Sequence, residues 1–99
     1  MKIEAIRRLF DHTSDFVRDR EPKIYSHELL SLIFELPYCR IQNVTEASIA
    51  KRQSASRYLK ALADLGVLEE LSLGREKLFL HPKYLQLLNE EGDDFILYE

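Results

Sequence analysis

The sequence predicts a mainly α-helical domain with a small β-hairpin, and three observations predict it. Between Ile49 and Leu68, apolar side chains recur at Ala55, Tyr58, Leu59, Leu62 and Leu65, the spacing of a helix with one buried face. Just before it, Ala47, Ile49 and Ala50 follow Asn43 and Thr45, two good helix caps, so a short helix and a turn precede the longer one. After it, Val67–Leu71 and Lys77–Leu80 read as strands around a turn at residues 72–76. Two helices joined by a tight turn and followed by a hairpin make a winged helix-turn-helix, here preceded by an N-terminal helix.

The elements follow in order. Residues 2–19 carry Ile3, Ile6, Leu9, Phe10, Phe16 and Val17 at helical spacing, with Thr13-Ser14 weakening the centre. Glu21-Pro22 ends this helix, because a residue before proline avoids the helical region. Such an amphipathic helix needs a surface to cover it, supplied by a partner chain or an upstream domain. Ser26 caps a second helix, with Glu28 well placed in its first turn. Leu29, Leu30, Ile33 and Phe34 line its apolar face and Pro37 closes it. Cys39-Arg40-Ile41 fits a short strand. Asn43 or Thr45 caps the third helix, and Gln53 or Ser54 caps the fourth, which spans residues 53–65. Gly66 supplies a left-handed residue after its last turn. Pro82 opens a final helix to about Asn89. Gly92 then separates a tail whose Phe95-Ile96-Leu97-Tyr98 run suits a docking segment or an edge strand. The organisation is therefore a connecting helix (1–21), a winged helix-turn-helix (22–89) and an acidic tail (90–99).

Ninety-nine residues make one domain, or one domain with an arm, with a modest core and no room for an enclosed cleft beside it. No run of apolar residues is long enough to span a membrane, and the charged N-terminus is not a signal peptide. The cytoplasm is the expected location. Cys39 is the only cysteine, which leaves no internal disulfide and no cysteine-based zinc site. It reads as a buried small hydrophobe. His12, His27 and His81 are scattered, without metal-ligand spacing, and solvated or capping roles suit them. Neither a catalytic constellation nor a cofactor site is expected.

Charge distribution says more than the net charge of −3. Glu90, Glu91, Asp93, Asp94 and Glu99 crowd the tail, and without them 14 basic residues stand against 12 acidic ones, a net of +2. Between Pro37 and Ala63, the bases Arg40, Lys51, Arg52, Arg57 and Lys60 face a single acid, Glu46. The helix-turn-helix is locally basic, which favours phosphate contact. Lys51, Arg52, Arg57 and Lys60 are expected to meet phosphates, and Gln53, Ser54 and Ser56 to meet base edges of double-stranded DNA. Arg75 and Lys77 on the hairpin would touch the backbone or the minor groove. The plainer alternative is a solvated helix face and an ordinary hairpin. A tail folded back over the basic helix is a further expectation from the charge split.

Four segments carry a narrower resemblance. They are Tyr25-Ser26-His27-Glu28-Leu29, Leu32-Ile33-Phe34-Glu35-Leu36-Pro37-Tyr38-Cys39-Arg40-Ile41-Gln42-Asn43, Ala50-Lys51-Arg52-Gln53-Ser54-Ala55-Ser56-Arg57-Tyr58-Leu59 and Gly74-Arg75-Glu76-Lys77-Leu78-Phe79. Together they resemble the C-terminal winged-helix domain that follows the catalytic core of many bacterial Fic (Fic/DOC) proteins. The resemblance covers residues 22–89, and residues 1–20 would correspond to the end of a long helix leading out of the core. Fic cores transfer AMP from ATP to a target hydroxyl (AMPylation), and their signature is His-Pro-Phe, two residues, Gly-Asn-Gly-Arg, two residues, Arg. Here the only His-Pro is His81-Pro82, followed by Lys83-Tyr84, so that activity does not carry over to these residues. The chain is then a piece of a longer enzyme or a stand-alone relative of the domain. The resemblance implies an accessory role: DNA binding through helix 53–65 and the wing, beside an upstream Fic core. The alternative is a protein-interaction or dimerisation module that regulates the core without DNA, in keeping with the first helix, the apolar tail and the net acidity. A homodimer would suit either role.

Overall fold

A computed structural model of the chain describes residues 2–36, 38–89, 92 and 94–98. It contains, in order, α1 (Lys2–Arg20), α2 (His27–Glu35), β1 (Tyr38–Cys39), α3 (Ile41–Glu46), α4 (Arg52–Asp64), β2 (Glu69–Leu73), β3 (Glu76–Leu80) and α5 (Pro82–Asn89). The domain is mostly helical, and its three antiparallel strands lie in the order β1-β3-β2. This is the winged-helix arrangement that the sequence predicts, with one strand added to the hairpin.

One apolar cluster holds the elements together. Ala5, Leu9 and Val17 of α1 join Leu29, Leu30 and Ile33 of α2, Val44 of α3, Ala55, Leu59 and Leu62 of α4, Phe79 of β3 and Leu87 of α5. α1 is continuous through Thr13 and Ser14, both buried, and its apolar face is covered from within the chain by α2 and α5. The tail adds to that cover as an extended segment rather than an edge strand. The Tyr98 backbone N–H donates to His12 Nε2 at 3.0 Å, and the Tyr98 ring stacks on His12 (5.3 Å, 8°) and Phe16 (5.1 Å, 23°). His12 is thus half-buried under the tail rather than solvated. Four of the tail acids (Glu90, Glu91, Asp93 and Glu99) lie outside the described residues, as does Pro37, expected to close α2.

Several helix ends follow their residues closely. Ser26 Oγ accepts from the Leu29 N–H at 3.0 Å and starts α2. Gly66 has φ +86°, and the N–H groups of Val67 and Leu68 both donate to Leu62 O. That closure explains why Val67 and Leu68, expected in the first strand, finish the helix instead, so β2 begins at Glu69. The hairpin turns on two residues, Gly74 (φ +64°) and Arg75, not on the five of 72–76.

Three other expected boundaries move toward the N-terminus. The strand expected at Cys39-Arg40-Ile41 is Tyr38–Cys39, paired with Leu80 and Phe79, because Arg40 and Ile41 begin the third helix. Asn43 is its third residue rather than its cap, and its side chain reaches back to accept from the Arg40 N–H at 2.8 Å. Val44 is the buried residue of α3, whereas Ala47 is exposed. α4 starts at Arg52 after Lys51, so neither Gln53 nor Ser54 caps it. The turn between α3 and α4 passes through Ser48 at φ +59°, and the Ser48 and Ile49 N–H groups return to Thr45 O and Val44 O.

Candidate nucleic-acid interface

Three pieces of backbone surround the basic face. The first turn of α4 forms one wall, the wing forms the other, and the start of α3 forms the floor. A groove of about 730 Å³ lies between them, lined by Arg40, Ile41, Gln42, Arg52, Gln53, Ser56, Arg75, Glu76 and Lys77. Five of the expected contact residues therefore share one concavity: Arg52, Gln53, Ser56, Arg75 and Lys77. A second depression of about 600 Å³ runs along the turn between the helices, lined by Gln42, Thr45, Ser48, Ala50, Lys51 and Arg52. Lys51 belongs there, and Arg52 borders both.

The pitch of α4 decides where the rest fall. Ala55, Leu59 and Leu62 are its buried residues. At about 100° per residue, Arg52 and Ser56 flank that stripe on the groove side, while Gln53, Arg57 and Lys60 point away from the core. Arg57 and Lys60 are exposed on the outer face, beyond the groove, and the Arg57 guanidinium lies 5.6 Å from the Tyr58 ring centroid. Ser54 is half-buried on the opposite flank, so it does not join the others. Tyr58 and Leu65, expected in the core, are only partly buried against it.

Local backbone chemistry adds to the positive field. Lys51 makes no side-chain cap bond, and the first N–H groups of any helix lack intrahelical acceptors. The amino end of α4 thus presents free donors and the positive end of its dipole beside Arg52, a combination that suits a phosphate oxygen.

Arg40 is the groove residue that the sequence did not single out. It precedes α3, and its Nη1 lies 3.4 Å from a Glu76 carboxylate oxygen on the wing. Glu76 therefore offsets Arg40 across the groove, rather than only its neighbours Arg75 and Lys77. Ile41, Gln42 and Glu76 complete the lining that sequence spacing missed. Glu76 meets Arg40 across the fold, whereas Gln42 bonds locally, its amide donating to the Glu46 carboxylate at 2.7 Å.

The other titratable side chains of note are structural. Cys39 is 1% exposed, and burial pushes its thiol up to about 11, so it stays a neutral core group. His81 caps α5: its Nδ1 accepts from the Tyr84 N–H at 3.4 Å, and its ring stands edge-on to Phe34 at 4.6 Å. Its Nε2 is buried with no hydrogen-bond partner among the described residues, and burial lowers its pKa to about 3. Burial likewise raises the Tyr98 hydroxyl to about 12.

The described residues contain no helix long and apolar enough to cross a membrane. Compared with known families, residues 9–84 match the model of the protein adenylyltransferase SoFic-like C-terminal domain.

Proposed function

This chain belongs to the SoFic-like C-terminal domain family of protein adenylyltransferases, and from that premise we propose that it is an accessory domain that binds double-stranded DNA. The groove between α4 and the wing carries this reading, because it gathers Arg40, Arg52, Arg75 and Lys77 around Gln53 and Ser56. α4 enters the major groove with its amino end leading. Gln53 and Ser56 face base edges, Arg52 and Lys51 meet phosphates at the helix start, and Arg57 and Lys60 extend the contact along the exposed face. Arg75 and Lys77 touch the backbone from the wing. In a longer cytoplasmic protein, the domain positions an upstream AMP-transferring core relative to DNA.

The protein-contact reading draws on a different observation: Tyr38, Leu71 and Leu73 are exposed apolar side chains on the sheet, away from the basic groove. It needs no DNA.

Fluorescence anisotropy of random duplex DNA, titrated with this chain across salt, separates the two. With about six phosphates neutralised, log Kobs should fall against log salt with a slope of about −5. Absence of binding at low salt would leave the protein-contact reading.

A further inference from the structure

We propose that two copies of this domain pair edge to edge through β2, antiparallel about a two-fold axis at Ser72. The inference needs no DNA and shares only Arg75 with the DNA reading. It begins with the sheet order: β3 lies in the middle and β2 at an edge, with all five residues of β2 exposed. The strand has neither proline nor lysine, and its only charges, Glu69 and Glu70, sit at its amino end, leaving Leu71–Leu73 uncharged.

The hairpin dictates which backbone groups are free. Leu73 lies opposite Glu76 across a two-residue turn, and residues flanking such a turn exchange hydrogen bonds. By alternation Leu71 and Glu69 also spend their backbone groups on β3. Glu70 and Ser72 turn their N–H and C=O groups to the open side. A second extended strand can take them up, the geometry of strand addition.

Side chains alternate in the same way. Phe79 of β3 faces the core. Leu78, opposite Leu71, and Leu80, opposite both Tyr38 and Glu69, therefore face outward. This outer face exposes Leu71 (39%), Leu73 (60%) and Tyr38 (53%). An apolar face on an open-edged strand is buried further when the sheet continues into a second copy.

Charge selects the register. A two-fold axis at Glu70 would set Glu70 against itself, which is unfavourable. An axis at Leu71 would leave Glu69 opposite Leu73 and make no charge pair. An axis at Ser72 sets Leu71 opposite the second copy's Leu73, places Glu70 beside its side-chain-free Gly74, and brings Glu69 to its Arg75. Neither Glu69 nor Arg75 has an ion-pair partner among the described residues. The arrangement is isologous, so each contact occurs twice. In the paired state Arg75 serves the interface in place of its DNA backbone contact, and Arg40, Arg52 and Lys77 still line the groove.

Sedimentation equilibrium on the full 99-residue chain, from micromolar to millimolar concentration, tests the pairing. A reversible monomer–dimer equilibrium is expected. Ser72→Pro removes an outward donor without touching the β3 ladder, and should weaken association roughly tenfold or more. Glu69→Arg and Arg75→Glu, both at exposed positions, should each weaken it roughly threefold to tenfold, and the double reversal should restore it. Far-ultraviolet circular dichroism confirms that each variant is folded. A chain that stays monomeric throughout, a dimer unmoved by Ser72→Pro, or a double reversal that fails to rescue the single ones would overturn the proposal.

Discussion

Arg40 Nη1 lies 3.4 Å from the Glu76 carboxylate, so the residue that opens α3 is tied to the first residue of β3. The bridge joins two sides of the basic groove and neutralises one of its cations. Both side chains are more than half exposed, so the pair contributes at most about 1 kcal/mol to stability. Its consequence lies in binding. Glu76→Gln frees Arg40 and removes the only acid among the described residues lining the groove, so duplex affinity should rise roughly threefold to tenfold at low salt, with a slope steeper by about one. Thermal unfolding should barely change. Anisotropy titrations at several salt concentrations measure both quantities, and an unchanged slope would mean that Arg40 does not reach DNA.

Arg57 and Ser54 make a contrasting pair on α4. Arg57 points away from the core, whereas Ser54 is half-buried on the flank opposite the groove. Arg57→Ala should weaken binding to all duplex sequences and flatten the salt slope by about one unit. Ser54→Ala should leave both affinity and slope as they are. The same titration reads both variants.

His81 sets a pH dependence of stability. Its ordinary pKa is 6.5, and burial lowers it to about 3 in the folded chain. Above 6.5 the imidazole is neutral in both states and contributes no slope. As pH falls from 6.5 toward 3, the unfolded chain takes up a proton that the folded chain refuses, so stability is lost at about 1.4 kcal/mol per pH unit. Urea unfolding between pH 7 and 5 should show this loss, and His81→Leu should remove it. The window above pH 5 keeps most carboxylate titration out of the comparison.

Tyr98 fastens the tail to α1. Its ring lies between His12, Phe16 and the ammonium of Lys83, 4.8 Å from the ring centroid. Tyr98→Ala should cost about 2–3 kcal/mol, a little under the usual loss for a fully buried aromatic. Tyr98→Phe should cost far less, because the Thr13 hydroxyl approaches the phenol only at 3.5 Å. Denaturant unfolding distinguishes these, and duplex affinity of the folded variants should match that of the parent chain.

What the sequence revealed was governed by distance along the chain. Ser26, Gly66 and Pro82 act on residues within a turn of themselves, and all three stand where local chemistry places them. Asn43 shows the limit of that logic. Its side chain does satisfy a helix-start N–H, but from three residues inside the helix rather than from its cap, so the helix begins earlier than Asn43 suggests. Val67 and Leu68 look like strand residues because they are apolar and branched or bulky, yet the closure at Gly66 claims their N–H groups for α4. The pairing of Tyr38–Cys39 with β3 joins segments about 40 residues apart, and nothing local announces it. At the basic face, Arg52, Gln53 and Ser56 were legible from helical pitch. Arg40 was not, because its role depends on Glu76 across the fold. Burial of His81 depends in the same way on Phe34, which packs edge-on against it from α2.

The most direct test of the account is backbone amide NMR of the chain as a random duplex is added at low salt. Shift changes centred on Arg40, Arg52, Gln53, Ser56 and Lys77, with α1 and Tyr98 unmoved, are the predicted result. Amides around that groove that stay still while DNA is present in excess, or changes confined to α1 and the tail, would contradict it.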